Sequence, residues 1–240
     1  MRGTVEEVEP FVRPVQKGEL AVVLAESELE LVPDEIQSHP QVRSRSRARD
    51  KPASRMLLDS SSHHSAMRKL VDSDRRGRPD LVHMALIMAQ DSPLNKLGRL
   101  HTYVHTRDDR VIWVSPSERL PRNYDRFVEL VEHLYEVGRI DSGGEALLRV
   151  ERMTLRALVV GLGCRTVLMW ERGERTDVLE VLREHAGEAV AVLVGGFPHG
   201  DFREAAGLAD VSVRMGDEQL TAPTIVARVV HIFELSHGIQ

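Results

Sequence analysis

The chain has 240 residues, 42% of them hydrophobic, enough for one large domain or two small ones around a real core. A single cysteine, Cys164, excludes an internal disulfide and a cysteine-cluster metal site, and the longest apolar runs, such as AVAVLVGGF, are too short to span a bilayer. A formal net charge of -5 excludes a globally basic nucleic-acid binder, although residues 1–35 alone carry nine acids against three bases, which leaves the remainder at +1 with clustered arginines.

Residues 1–18 lack an apolar period and contain Pro10 and Pro14, so they read as an acidic arm, with residues 19–240 as the domain. The start of the chain is acidic and has no charged-then-apolar signal, which with the lone cysteine points to a cytoplasmic protein. ELAVVLAES predicts a buried strand. Residues 41–55, QVRSRSRARDKPASR, form a basic segment, helical or loose, for which a solvated face and an RNA contact are both open. RMLLD predicts a second strand and SSSHHS a polar loop. RPDLVHMALIMAQDSPLN predicts a helix that starts at Pro79 and stops at Asp91-Ser92-Pro93, followed by a hairpin from LHTYVHT and RVIWVS. YDRFVELVEHLYEVG is the clearest helix, with Tyr124, Phe127, Val131 and Leu134 on one face, Asn123 as its cap and Gly138 at its end.

From Glu151 onward helices and strands alternate: helix MTLRALVVG, strand TVLMW, helix TDVLEVLREHA, strand AVAVLVGG, helix FREAAG, strand VSVRM and a final helix APTIVARVVHIFELSH. Such alternation predicts an α/β fold with a mostly parallel sheet flanked by helices. Ligands in these sheets sit at the carboxyl ends of the strands, which directs attention to the loops after Trp170, Val194 and Met215.

The glycines of VGGFPHGDF have neither dinucleotide-fingerprint nor P-loop spacing, and by themselves mark a tight turn or a close backbone approach to a ligand. His101 and His105, four apart on a strand, are separated by roughly 13 Å and cannot share a metal. No HExxH helix and no GxSxG elbow accompany the histidines, so no metal is expected. In GRPDLVH, Asp80 can hold the Arg78 guanidinium in a fixed pose, as a phosphate or base clamp requires; a plain helix-start ion pair is the alternative. Asp91 stands at the helix end that disfavours a carboxylate, either as a capped turn residue or as a working group. Arg119, Arg122 and Arg126 in SERLPRNYDRF can face outward together.

LLDSSSHHSAM, RRGRPDLVHMALIMAQDSPLN, ERLPRNYDRF and VLVGGFPHGDF occur in that order, and together they resemble the Nep/Emg family of ribosome-biogenesis proteins in the SPOUT superfamily, which methylate N1 of a pseudouridine in small-subunit ribosomal RNA. The resemblance runs from about Gly18 to the carboxyl terminus and is similar to archaeal members. It implies a SPOUT methyltransferase fold with a carboxyl-terminal trefoil knot over about 157–240, a homodimer, and S-adenosylmethionine as cofactor. Carried over by motif, Met169 and Trp170, then Gly195, Gly196 and Gly200, then Met215, Gly216, Asp217, Glu218, Gln219, Leu220 and Thr221 would hold the cofactor. Arg78, Arg119, Arg122 and Arg126 would contact the RNA, with Asp80 supporting Arg78.

Under that resemblance Arg78 is expected to stabilise the anion that develops as N1 loses its proton, and Asp91 to accept or relay that proton. Two other expectations stand beside it: an RNA-binding assembly factor in which methyl transfer is idle or secondary, and a methyltransferase acting on pseudouridine in tRNA.

Overall fold

The computed structural model describes residues 11–184 and 188–239. Its first strand, β1 (Leu20–Ser27), is buried at every position, as an apolar run between two other strands must be. A group of short helices follows: α1 (Asp34–Gln37), α2 (Pro40–Ala48), a 3-10 turn at Ala53–Arg55, and α3 (Ser60–Met67). Next come α4 (Pro79–Gln90), α5 (Pro93–Lys96), the strands β2 (Leu100–Thr106) and β3 (Arg110–Val114), and α6 (Tyr124–Val137). A hairpin of β4 (Arg139–Ser142) and β5 (Glu145–Arg152) leads into α7 (Leu155–Leu162), β6 (Arg165–Arg175), α8 (Val178–Glu184), β7 (Val190–Gly195), β8 (Val211–Arg214) and α9 (Ala222–Ser236).

All eight strands form one sheet in the order β4-β5-β3-β2-β1-β7-β6-β8. The run from β2 to β8 pairs in parallel, while β3, β5 and β4 extend it antiparallel. The expected α/β class, mostly parallel and flanked by helices, is what the chain adopts. Strand periodicity divides the core: Leu20, Val22 and Leu24 pack with α4, α6 and α9 on one face, and Ala21, Val23 and Ala25 with α7 on the other. Phe11 and Val15 are buried on the α7 side, so residues 11–18 of the expected arm lie against the domain; the rest of it, 1–10, lies outside the described residues.

Four local expectations are corrected. RMLLD is not a strand: it makes one isolated bridge, Leu31 to Leu57, and its alternation arises because Leu57 faces the main core while Met56 and Leu58 face a small satellite core under α1–α3. SSSHHS is the helix α3, capped by the Asp59 carboxylate, which accepts from Ser61 N at 2.8 Å. FREAAG forms only a 3-10 turn at Ala205–Gly207, a single turn whose opening N–H groups, from Arg203, Glu204 and Ala205, are held by the Glu26 carboxylate. The hairpin β4–β5 was not expected at all, although Gly143-Gly144, both at positive φ, is the two-residue turn such a hairpin needs.

Candidate cofactor cleft and nucleic-acid face

At the carboxyl ends of β6, β7 and β8 lies a cleft of about 400 Å³. That places it where parallel α/β sheets hold ligands, and its volume falls in the range of small-molecule sites, roughly 300–1,000 Å³. Of the expected cofactor residues, Met169 and Trp170 from β6, Gly195 and Gly200 from the loop after β7, and Met215 and Asp217 to Thr221 from the loop before α9 line it. Gly196 and Gly216 do not. Gly196 sits behind the wall, where its N–H donates to Ala25 O at 2.9 Å; a Cβ there would fall 2.0 Å from Ser27 Oγ, so only glycine lets the loop close onto β1.

The wall is braced from behind by charges the sequence did not announce. The Glu26 carboxylate, 6% exposed as a residue, accepts from the N–H groups of Arg203, Glu204 and Ala205 at 2.8–3.1 Å and from Arg75 Nη2 at 2.9 Å. Arg75 also donates to Glu28 Oε1 at 2.7 Å and to the Asp201 carbonyl, and its guanidinium lies 3.5 Å from the centre of the Phe197 ring. Asp201 in turn accepts from the Trp170 indole N–H at 2.7 Å and from Arg172 at 2.7 Å. A buried charge held by several donors at once fixes a loop far better than an exposed pair does.

The cleft also presents groups suited to a zwitterionic nucleoside. Arg214 lines it with a guanidinium whose Nη2 lies 3.9 Å from Asp217, Glu171 and Asp217 supply carboxylates, the latter also paired with Arg175 at 3.0 Å, and Leu81, Leu220 and Ile225 supply apolar surface. A donor for a carboxylate, acceptors for an amine and an apolar shelf for a purine therefore converge, and the residues present fit S-adenosylmethionine.

Arg78 caps α4 at the cleft rim. Its Nε and Nη2 donate to the two Asp80 oxygens, each at 2.8 Å, and that bond holds the guanidinium more firmly protonated than usual. The pair uses one edge of the fork and leaves Nη1 for a ligand. Arg119, Arg122 and Arg126 are all exposed. Their segment is pinned to α4 by His83, whose Nε2 lies 2.7 Å from Pro121 O and whose ring stacks on Phe127 at 4.3 Å. Asn123 caps α6 by accepting from Arg126 N at 3.0 Å.

Asp91 is not at this rim. It caps the opposite end of α4, about 20 Å from Arg78 at 1.5 Å per residue, where it is exposed and paired with Lys96 at 3.2 Å and Arg122 at 3.4 Å. Within one chain, a base lodged at Arg78 is out of reach of Asp91, contrary to the shared role expected for the two. The basic segment 41–55 also divides: Arg49 and Lys51 neutralise the buried Glu132, Arg55 pairs with Glu136, and Arg43, Arg45 and Arg47 are left exposed. His101 and His105 are occupied by Glu19 and Asp109, and no group of three or more metal-ligating side chains occurs among the described residues. No described helix is long and apolar enough to cross a membrane.

A family model described as EMG1/NEP1 methyltransferase matches residues 22–234. The ribosomal RNA small subunit methyltransferase Nep1 of Thermococcus kodakarensis is 44% identical over 224 residues, 92% of this chain and 100% of that one. Its counterpart in Pyrobaculum neutrophilum is 45% identical over 225 residues, again 92% and 100%. Among solved structures, Archaeoglobus fulgidus Nep1 bound to S-adenosylhomocysteine superposes with a TM-score of 0.83 at 39% identity, covering 92% of this chain and 99% of that one.

Proposed function

The chain belongs to the EMG1/NEP1 methyltransferase family, and from that premise we infer that it transfers a methyl group from S-adenosylmethionine to N1 of a pseudouridine in small-subunit ribosomal RNA, in the service of ribosome biogenesis in the cytoplasm. The observation that carries the reading is the adjacency of the cleft to the Arg78–Asp80 pair: a methyl-donor site with a fixed guanidinium on its rim.

Bound S-adenosylmethionine supplies an electrophilic methyl group, so the protein's work is to bring a base in line with it and to keep water away. The target nucleotide is turned out of its stack toward the rim. Pseudouridine has a proton on N1, whereas in uridine that nitrogen carries the sugar, so the bond to be made selects the substrate. As the new N–C bond forms, the N1 proton leaves, and the free Nη1 edge of Arg78 stabilises the negative charge that builds on the base. Asp80 keeps Arg78 charged and aimed. Arg119, Arg122 and Arg126 hold phosphates along α4.

The functional unit is a homodimer. Met84 and Met88 on α4, Leu97 after α5 and Leu235 on α9 are exposed although α4 and α9 pack together, an apolar surface of the kind that marks an interface. In a two-fold pairing that sets α4 antiparallel to its own copy, the Asp91 end of one helix lies beside the Arg78 end of the other, and the proton-relay role belongs to Asp91 across that interface. Residues of about 157–240, in which α9 returns over α8 and β7, form the trefoil knot of the SPOUT superfamily.

The test is transfer of labelled methyl to hairpins of small-subunit rRNA that contain pseudouridine or uridine, and to pseudouridine-containing tRNA, with calorimetric titration of S-adenosylmethionine beside it. Label on the pseudouridine hairpin alone is the expected result. Label on tRNA instead changes the substrate, and absence of cofactor binding leaves an RNA-binding assembly factor.

A further inference from the structure

A second cavity, of about 250 Å³, lies between α2, α3 and the start of α6. It adjoins the Arg78 rim through a chain of contacts: Asp59 accepts from Tyr124 Oη at 2.6 Å, and both belong to the charged surroundings of Arg78, as does Asp80. One side of the Arg78–Asp80 pair therefore faces the cofactor cleft, and the other leads to this smaller cavity.

Three features of its lining point to a ligand. His63 is 2% exposed; its Nδ1 accepts from Asp59 N at 3.1 Å, so the neutral ring carries its proton on Nε2, and that buried N–H has no partner among the described residues. Burial holds the ring neutral. Asp59, Asp125 and Glu129 supply acceptors to the same lining, and of the two arginines there Arg49 is spent on Glu132, so carboxylates outnumber the free cations. Tyr124 adds an aromatic ring to the lining, and exposed Arg45 stands at the same cavity beside Arg43 and Arg47 on α2. A buried donor without a partner, carboxylate acceptors and an aromatic ring in one lining, with exposed arginines on α2 beside it, are complementary to the edge and face of an unstacked nucleobase whose phosphates run outside.

Building on the rRNA methyltransferase reading, we propose that this cavity binds a second unpaired nucleobase of the same RNA, close in sequence to the methylated one, with His63 donating to its edge and a cavity carboxylate accepting from it. The site makes recognition depend on a nucleotide that undergoes no chemistry. It also gives α2 a role: Arg43, Arg45 and Arg47 meet the phosphates of that nucleotide, while Arg49 and Lys51 stay with Glu132.

The test is equilibrium binding of a labelled hairpin of small-subunit rRNA with pseudouridine in its loop, together with hairpins in which each other loop nucleotide in turn is made abasic. Wild-type protein should lose roughly tenfold in affinity at one such position, the scale of one base contact. His63→Leu should lose about as much on the intact hairpin and nothing further on that abasic one. Glu129→Gln, an exposed change at the cavity rim that spares the fold, should show the same non-additivity at the same position and serves if His63→Leu does not fold. Losses that add at every position overturn the proposal. Methyl transfer to the intact hairpin is read in parallel: transfer with additive losses sinks the pocket alone, non-additive binding without transfer sinks the methyltransferase reading alone, and no binding by the wild type sinks both.

Discussion

Glu26 sits at φ 51°, a left-handed conformation that costs a non-glycine residue about 1 kcal/mol, and its carboxylate repays that strain by anchoring three successive backbone N–H groups and Arg75. Glu26→Gln leaves Arg75 short of a partner inside the protein and should cost about 3 kcal/mol of stability. Because the N–H groups it holds follow Gly200 and Asp201 in the cleft wall, the same variant should bind S-adenosylhomocysteine more weakly by calorimetry. This role was not legible in the sequence, since the groups brought to Glu26 are 177 to 179 residues away. Arg78 and Asp80 are two residues apart, and their pairing could be read directly from GRPD. For the outward arginines, Arg119→Ala, Arg122→Ala and Arg126→Ala should each weaken RNA binding and lower its salt dependence by about one ion, with cofactor affinity unchanged, as measured by titrations at several salt concentrations. Asp80→Asn should weaken the same RNA while leaving the salt slope near that of the wild type, because it frees Arg78 rather than removing it. Cys164, the one thiol, is pushed up to about 11 by burial and by Asp210, so it takes no part as a nucleophile.

At the scale of elements, α6 was readable because its signals are local: a cap at Asn123, an apolar stripe at helical spacing and a glycine stop. What its polar face does was not. Glu132 is fully buried as a side chain and accepts from Arg49, Lys51 and the Leu57 N–H at 2.7–2.9 Å, tying α6 to the segment after α2. Burial would raise its pKa, yet these donors hold it below the usual carboxylate value. Glu132→Ala should therefore destabilise the protein by about 3 kcal/mol in chemical denaturation, and should loosen α2 and α3 in hydrogen exchange before it affects the sheet. Half of the basic segment is thus a structural clamp, a division that composition could not draw. RMLLD and SSSHHS were misread for a related reason. Their apolar and polar periods report which core each residue faces, and a satellite core under three short helices imitates a strand and a loop.

At the scale of the whole molecule, two buried histidines set the pH response. Burial lowers the pKa of His63, and it lowers that of His101 although Glu19 beside it opposes the shift. Both then bind protons more readily in the unfolded chain than in the native one, so stability is intact above about pH 6.5 and falls as pH drops below it. Denaturation midpoints measured from pH 7.5 to pH 5 should decline over that window, with a further loss in the carboxylate range as Glu132 takes up a proton. The proposed homodimer is where the role of Asp91 is tested. Mixing Arg78→Ala protein with Asp91→Asn protein should restore part of the methyl transfer that each lacks alone, since one of the two sites in a mixed dimer then holds both native groups; no recovery in verified mixed dimers removes Asp91 from the reaction.

The alternation of strands and helices after Glu151, the parallel core, the loops after β7 and before α9 and the Arg78–Asp80 pair were determined by the sequence alone, because periodicity, caps and near-neighbour charges act over a few residues; the hairpin β4–β5, the helix α3 and the run of β6 past Trp170 to Arg175 were not. Tertiary structure alone decided which charges are spent on the fold and which remain for a ligand. Glu26 with Arg75 and Glu132 with Arg49 are pairs from distant parts of the chain, and a charge becomes structural only when burial makes an unpaired partner costly. The distance from Arg78 to Asp91, by contrast, follows from the predicted helix between them, whereas only the packing of α3 left the buried His63 Nε2 proton without an acceptor among the described residues.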